Sequence, residues 1–242
     1  MEKISVIQEP TKDFPFAVIY KPKALASAPM RAGDEENAFF QAAELFPSLM
    51  RVCGKKVVEH GLLHRLDTAT DGILLIADSQ EFYDYMLCEQ NEGRFIKYYK
   101  ALCQKNINNA RLLGGFPDSE SLIAAENDFP KIITSYFRPY SKGAKEVRPV
   151  TRDSGQAALK KIGKLKEYTT QIISFDGDEA ECKIAQGFRH QVRCHLAWVG
   201  LPVVNDPLYN VDCLCTAEPL QFTATAIELK NPRNGKILRF SL

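Results

Sequence analysis

The stretch His60-Gly61-Leu62-Leu63-His64-Arg65-Leu66-Asp67-Thr68-Ala69-Thr70-Asp71-Gly72-Ile73-Leu74-Leu75-Ile76-Ala77 sets a crowded polar cluster directly against an apolar run. The run is too short to cross a bilayer and has the length of a buried strand. Asp67 is therefore expected in a turn just before a core strand. A lone aspartate at such a place usually serves as a cap or turn former. Here two histidines and an arginine come within seven residues of it, and a partly buried carboxylate needs a cation or donors to stay ionised.

A partner is offered far downstream by Gly187-Phe188-Arg189-His190-Gln191-Val192-Arg193-Cys194-His195-Leu196. All four histidines of the chain, His60, His64, His190 and His195, fall inside these two stretches. The simplest expectation is that both stretches line one polar pocket, with an arginine of the second neutralising Asp67 of the first.

These residues resemble a known family. His64-Arg65-Leu66-Asp67-x-x-Thr70-x-Gly72 is similar to the catalytic-aspartate motif of the RluA-type RNA pseudouridine synthases, and Gly187-x-x-His190-Gln191-Val192-Arg193-x-His195-Leu196 resembles their later arginine-bearing motif. Tyr20-Lys21-Pro22 looks like the family's early Asn-Lys-Pro, Tyr99-Lys100-Ala101 like its Tyr-x-Ala strand, and Asn205-Asp206-Pro207-Leu208-Tyr209 like its Gly-Asp-x-x-Tyr turn. The motifs occur in the family's order from about Phe16 to near Leu242. The chain departs from the pattern in places: Tyr20 stands for the asparagine of Asn-Lys-Pro, Asp71 stands where the family usually has serine, and Phe188-Arg189 where it has Arg-Thr. A carboxylate at Asp71 would raise the pKa of Asp67 by like-charge repulsion unless it caps the turn or faces solvent.

The resemblance implies an α+β fold, a mixed, largely antiparallel β-sheet with flanking helices, and isomerisation of a uridine in ribosomal or transfer RNA to pseudouridine. It implies Asp67 as nucleophile or base, with Tyr99 and Arg193 completing the catalytic set. Arg193 would hold Asp67 ionised, and Tyr99 would stack on the base and offer its phenolic oxygen. His64, Arg65, Arg189, His190 and Gln191 are expected to contact RNA, with Arg65 wedging into the space left by the flipped base. His64 has the second role of orienting the loop. Neither a metal nor any other cofactor is expected.

Bulk properties agree with such a protein without demanding it. The 242 residues are 45% hydrophobic and 25% charged with a formal charge of +1, ordinary for a globular chain. A single catalytic domain over residues 1–242 is expected, with no separate N-terminal RNA-binding domain. Seven cysteines, an odd number without a signal peptide, fit reduced thiols in the cytoplasm. Cys213-x-Cys215 lacks a second ligand pair at zinc spacing. Neither a membrane nor a protein partner is implied.

Residues 106–166 are read mainly by charge. Asp118, Glu120, Glu126 and Asp128 come first; from Lys131 to Lys166 ten basic residues then face two acidic ones. The basic run is interleaved with Tyr136, Phe137 and Tyr140, which suits RNA contact, although a charge run is more often a solvated face.

Local signals place strands over Phe16–Tyr20, Ile73–Ile76, Phe95–Leu102, Tyr168–Phe175, Glu181–Ala185, Leu220–Leu229 and Ile237–Leu242. They place helices after the caps Asn37 and Ser79 and over His190–Val199. Two other classes remain open. In one, His60, His64 and Asp67 share a helix face and bind a metal with His190 or His195, as in a metallohydrolase. In the other, the chain is an inactive RNA-binding relative.

Overall fold

A computed structural model of the chain describes residues 2–29, 31, 33–118, 129–214 and 217–242. Glu120, Glu126, Asp128 and Cys215, singled out above, lie outside them. In chain order the elements are strands β1 (Ser5–Gln8) and β2 (Phe16–Lys21), helix α1 (Ala38–Leu45), strand β3 (Asp71–Ala77), helix α2 (Gln80–Asn91) and strand β4 (Ile96–Leu102). There follow α3 (Asn109–Leu113), β5 (Lys131–Tyr140), β6 (Glu146–Val150), α4 (Gln156–Leu159), β7 (Tyr168–Asp176) and β8 (Glu179–Ile184). Helix α5 (Gln191–Trp198) and strands β9 (Phe222–Lys230) and β10 (Ile237–Ser241) complete the chain. The fold is mixed, with antiparallel pairing predominant. It divides into two compact units, Met1–Tyr98 with Thr223–Leu242, and Tyr99–Phe222.

In the first unit β2 lies antiparallel to β1 and to β3, β3 runs parallel to β9, and β10 closes antiparallel on β9. All seven residues of β3 are buried, which explains why its sequence is a continuous apolar run rather than an alternation. Phe16, Val18, Ile73, Leu75, Phe82, Met86, Phe95 and Leu229 form the core beside it. Both helix starts follow the capping expected from sequence. Asn37 accepts the Phe40 N–H at 3.1 Å and Ser79 accepts the Phe82 N–H at 3.2 Å, each satisfying one donor that has no partner within the helix.

Gly72 sits where β3 meets β9. Its φ is +129°, and a Cβ there would come within 2.2 Å of the Ala224 carbonyl oxygen. Only glycine allows this close approach at that backbone angle.

In the second unit β7 and β8 form a hairpin joined at Asp176-Gly177-Asp178, with Gly177 at φ +62°. Strand β5 pairs antiparallel with both β7 and β6. These two strands occupy the region read above only by charge. Inward-facing Ile133, Ser135 and Phe137 alternate with more exposed neighbours, the period-two pattern of a half-buried strand. The basic stripe is correspondingly divided. Arg148, 1% exposed, pairs with Glu146 at 2.7 Å, and its guanidinium lies 4.2 Å from the Tyr140 ring centroid and 4.5 Å from that of Phe116. Lys142, Lys145, Arg152, Lys160, Lys161 and Lys164 are the members that face solvent.

Every residue of α5 is buried, so it has no polar face to set its limits in sequence. His190 precedes the helix as its cap, with φ +57°. No helix among the described residues is long and apolar enough to cross a membrane.

Candidate active site

Asp67 opens a tight turn closed by the Thr70 N–H donating to the Asp67 carbonyl at 2.9 Å, and β3 begins at the next residue. Asp67 is partly exposed and Thr68 and Ala69 are exposed, while Leu66 and Thr70 on either side are buried. The turn is thus presented on buried shoulders.

Segment 20–27 cradles that turn. The Ser27 hydroxyl accepts the Leu66 N–H at 2.9 Å and donates to the Leu66 carbonyl at 2.8 Å, a splint on the residue before Asp67. Lys21 is fully buried, and its Nζ donates to the carbonyls of Pro22 at 2.8 Å, Leu25 at 2.7 Å and Thr68 at 3.4 Å. Burial holds its ammonium down to about 8 while Asp71 and Asp67 pull it back up, which places one buried cation in the field of both carboxylates. Asp71 neither caps the turn nor faces solvent freely. It accepts the hydroxyls of Tyr20 and Thr223, each at 3.0 Å, and lies 3.7 Å from Lys23 Nζ.

The histidines of this stretch belong to packing. The His64 ring points inward against Phe95, and its Nε2 accepts the Leu75 N–H at 3.1 Å. That bond ties His64 to β3. His60 stacks on Phe39 with centroids 5.2 Å apart. Its backbone, at φ +43°, ends a short 3-10 turn rather than continuing a helix, so no helical face joins His60, His64 and Asp67 and the metal reading loses its geometry. Arg65 is the exposed member, its side chain 57% accessible and paired with Glu59 at 3.0 Å.

In the second unit Arg193 is 4% exposed and forms a two-pronged ion pair with Asp206: Nε to Oδ2 and Nη2 to Oδ1, both 2.8 Å. Asp206, 0% exposed, also accepts the N–H groups of Leu208 and Tyr209. Charge-assisted bonds of this kind fix the guanidinium plane. Tyr99 is buried and stacks on Phe222, centroids 5.2 Å apart and planes at 4°.

Around α5, Gln191 is 2% exposed, takes the Phe188 N–H on Oε1 and gives Nε2 to the Thr169 carbonyl and the Thr170 hydroxyl. It braces the helix start. His190 bonds the Tyr209 hydroxyl at 3.0 Å. Arg189 is exposed and donates to the carbonyls of Ala144 and Glu146. His195 is wholly buried between the Ser135 and Thr170 hydroxyls, each 2.9 Å away. Asp206 and Ser27 were not picked out from sequence. Asp206 carried a signal in the Asn205–Tyr209 turn; Ser27 carried none.

Burial lowers both His64 and His195 from 6.5 to about 3, for His64 with help from Lys97. Both are then neutral in the folded chain while the unfolded chain binds their protons below pH 6.5. Their contribution is complete above that pH and is lost as pH falls from 6.5 toward 3. Urea unfolding at pH 7 and pH 5 should show stability falling by on the order of 1 kcal/mol per pH unit for each histidine below pH 6.5. The slope should halve in His195→Gln; an unchanged slope would contradict the assignment.

The profile of the RNA pseudouridylate synthase family matches residues 15–198. The chain belongs to this family. It is 29% identical over 166 residues to the tRNA pseudouridine(31) synthase of Saccharomyces cerevisiae, covering 66% of this chain and 38% of that protein. To the dual-specificity RNA pseudouridine synthase RluA of Yersinia pestis it is 27% identical over 228 residues, 92% of each. The chain spans 38%, 22% and 33% of the yeast, mouse and Arabidopsis thaliana relatives it matches. In structure it resembles human RNA pseudouridylate synthase domain containing 1 with a TM-score of 0.65 at 18% identity, covering 100% of this chain and 83% of that one, which bears on fold.

Proposed function

We propose that this chain isomerises a uridine in structured RNA, ribosomal or transfer, to pseudouridine, with Asp67 as nucleophile or base. The observation that carries the reading is Asp67 itself, held on a turn splinted by Ser27 and Lys21 in a chain that matches the synthase family. In the reaction the bond from ribose C1′ to base N1 breaks, the base turns, C5 joins C1′, and the C5 proton leaves as N1 gains one. Atoms and electrons balance within the nucleotide. An anionic group beside C1′ or the C2′ hydrogen is what the step requires.

Tyr99 and Arg193 complete the proposed catalytic set. The stacking of Tyr99 on Phe222 supports a fixed aromatic surface for a base, and the Asp206 pair supports a fixed Arg193. Arg65, exposed beside Asp67 and held by a surface ion pair with Glu59, is proposed to enter the helix vacated by the flipped uridine. Arg189 and partly exposed His190 are proposed to touch RNA. The solvent-facing Lys142, Lys145, Arg152, Lys160, Lys161 and Lys164 are proposed to meet phosphates, so that affinity falls steeply with salt.

Chemical mapping of pseudouridine in total RNA from cells with the gene intact, deleted or carrying Asp67→Ala tests the reading. One site is expected to lose its mark in both altered strains. A site lost on deletion but kept in the variant would remove Asp67 from the chemistry. Persistence of every site, together with no turnover by the purified protein on that RNA, would favour the inactive RNA-binding relative.

A further inference from the structure

We propose that Asp71, braced by Tyr20 and Thr223, is a positioning residue of the reaction, holding in one place the turn that presents Asp67. This rests on the function proposed above and adds to it two residues, Tyr20 and Asp71, that depart from the family pattern quoted earlier.

Strand β3 leaves the turn through Gly72, whose φ of +129° lies where a side chain gives no restraint. Pairing to β2 begins at Gly72↔Lys21, so Asp71, the residue that joins the turn to the strand, is registered on the β9 side, with Thr223. Side chains can tie this junction to the neighbouring strands. Asp71 does so from both sides. Its Oδ2 takes the hydroxyl of Tyr20 on β2 and its Oδ1 that of Thr223 on β9, each at 3.0 Å, while Lys23 Nζ stands 3.7 Å from Oδ1. The carboxylate therefore spans the strand on one side of β3 and the strand on the other.

The choice of residue fits the task. A carboxylate offers only acceptors, enough for two hydroxyls and a cation together. The side chain is 13% accessible, so these bonds form in a poorly hydrated place where geometry is well defined. Tyr20 reports the same contact, its phenol pushed up to about 12 by burial and by Asp71. The lysines beside the carboxylate, Lys23 by contact and Lys21 by field, offset the like-charge repulsion that a second aspartate would impose on Asp67.

Misplacing a reacting group by about an ångström can cost ~100-fold in rate, so loosening one end of the turn should reduce turnover rather than RNA affinity. Purified wild type, Tyr20→Phe, Asp71→Ala, Asp71→Asn and the Tyr20→Phe/Asp71→Ala double variant would be compared for kcat and KM on the mapped RNA. Thermal midpoint and hydrogen exchange at the Thr70 amide would be measured on the same samples. Asp71→Ala is expected to lower kcat by roughly tenfold and Tyr20→Phe by a few-fold, with KM changed by less than about twofold. Asp71→Asn, which keeps an acceptor, should recover most of the loss. The double variant should be no slower than Asp71→Ala alone, since Asp71→Ala already removes the bond that Tyr20→Phe breaks.

Faster exchange at Thr70 in Tyr20→Phe, with an unchanged thermal midpoint, would support a local brace. Losses that multiply in the double variant, a KM effect without a kcat effect, or unaltered Thr70 exchange would overturn the proposal. A wild type that forms no pseudouridine would overturn the reaction instead, and Thr70 exchange alone would then decide whether the brace exists.

Discussion

Asp67→Ala is expected to reduce pseudouridine formation by ~1,000-fold or more, the scale on which loss of a group that attacks or abstracts a proton shows itself. It should do so with little change in stability. Asp67 is partly exposed, and its carbonyl accepts the Thr70 N–H that closes the turn. Alanine keeps that bond. The turn also remains splinted from outside, by Ser27 at Leu66 and by Lys21 at Thr68. Substitutions at such positions usually stay within about 0.5 kcal/mol. Asp67→Asn tests the charge separately, since the amide keeps the shape and an acceptor while losing nucleophilicity and basicity. Both variants should unfold at the wild-type urea midpoint and still bind the RNA mapped for the wild type. The result that would sink the assignment is Asp67→Ala retaining more than about a tenth of wild-type turnover on that RNA.

The parts of this structure legible in sequence are those whose determinants are local. Strands β2 and β3 are continuous apolar runs, β9 alternates inward and outward residues, and Asn37, Ser79 and Gly177 act within a few residues of themselves. Strands β5 and β6 were missed because Arg138, Arg148 and the neighbouring lysines hide the alternation of Ile133, Ser135 and Phe137. Arg148 reads as surface charge until aromatic rings 4.2 and 4.5 Å away enclose it. Histidine misled in the opposite direction. His64 and His195 stand among polar residues in sequence yet serve as internal hydrogen-bonding partners, one for a backbone N–H and one for two hydroxyls. At the site, Asp67 was visible because its motif is contiguous. What holds it was not: Ser27 is 39 residues from Leu66 and Thr223 is 152 from Asp71, separations over which no sequence periodicity operates.

Arg193→Ala is expected to have the largest effect on the fold. The guanidinium and the Asp206 carboxylate are both withdrawn from water, 4% and 0% exposed, and they are joined by two parallel bonds of 2.8 Å. Removing one member of such a pair leaves an uncompensated buried charge and costs about 3–5 kcal/mol. The loss should spread, because the same carboxylate accepts the Leu208 and Tyr209 N–H groups, and Tyr209 in turn receives the Val147 N–H on its hydroxyl. Arg193→Lys should recover only part of the stability, since an ammonium cannot meet both carboxylate oxygens in the planar geometry of a guanidinium. The combination Arg193→Met/Asp206→Asn separates charge from packing: it removes both ions, keeps an amide acceptor for the two N–H groups, and should be more stable than Arg193→Ala alone. Urea unfolding of the four proteins measures this directly. A loss below about 1 kcal/mol in Arg193→Ala would show that water reaches Asp206 and screens it. In that case the buried pair would not be what anchors Arg193, and its proposed place in the catalytic set would lose its structural support.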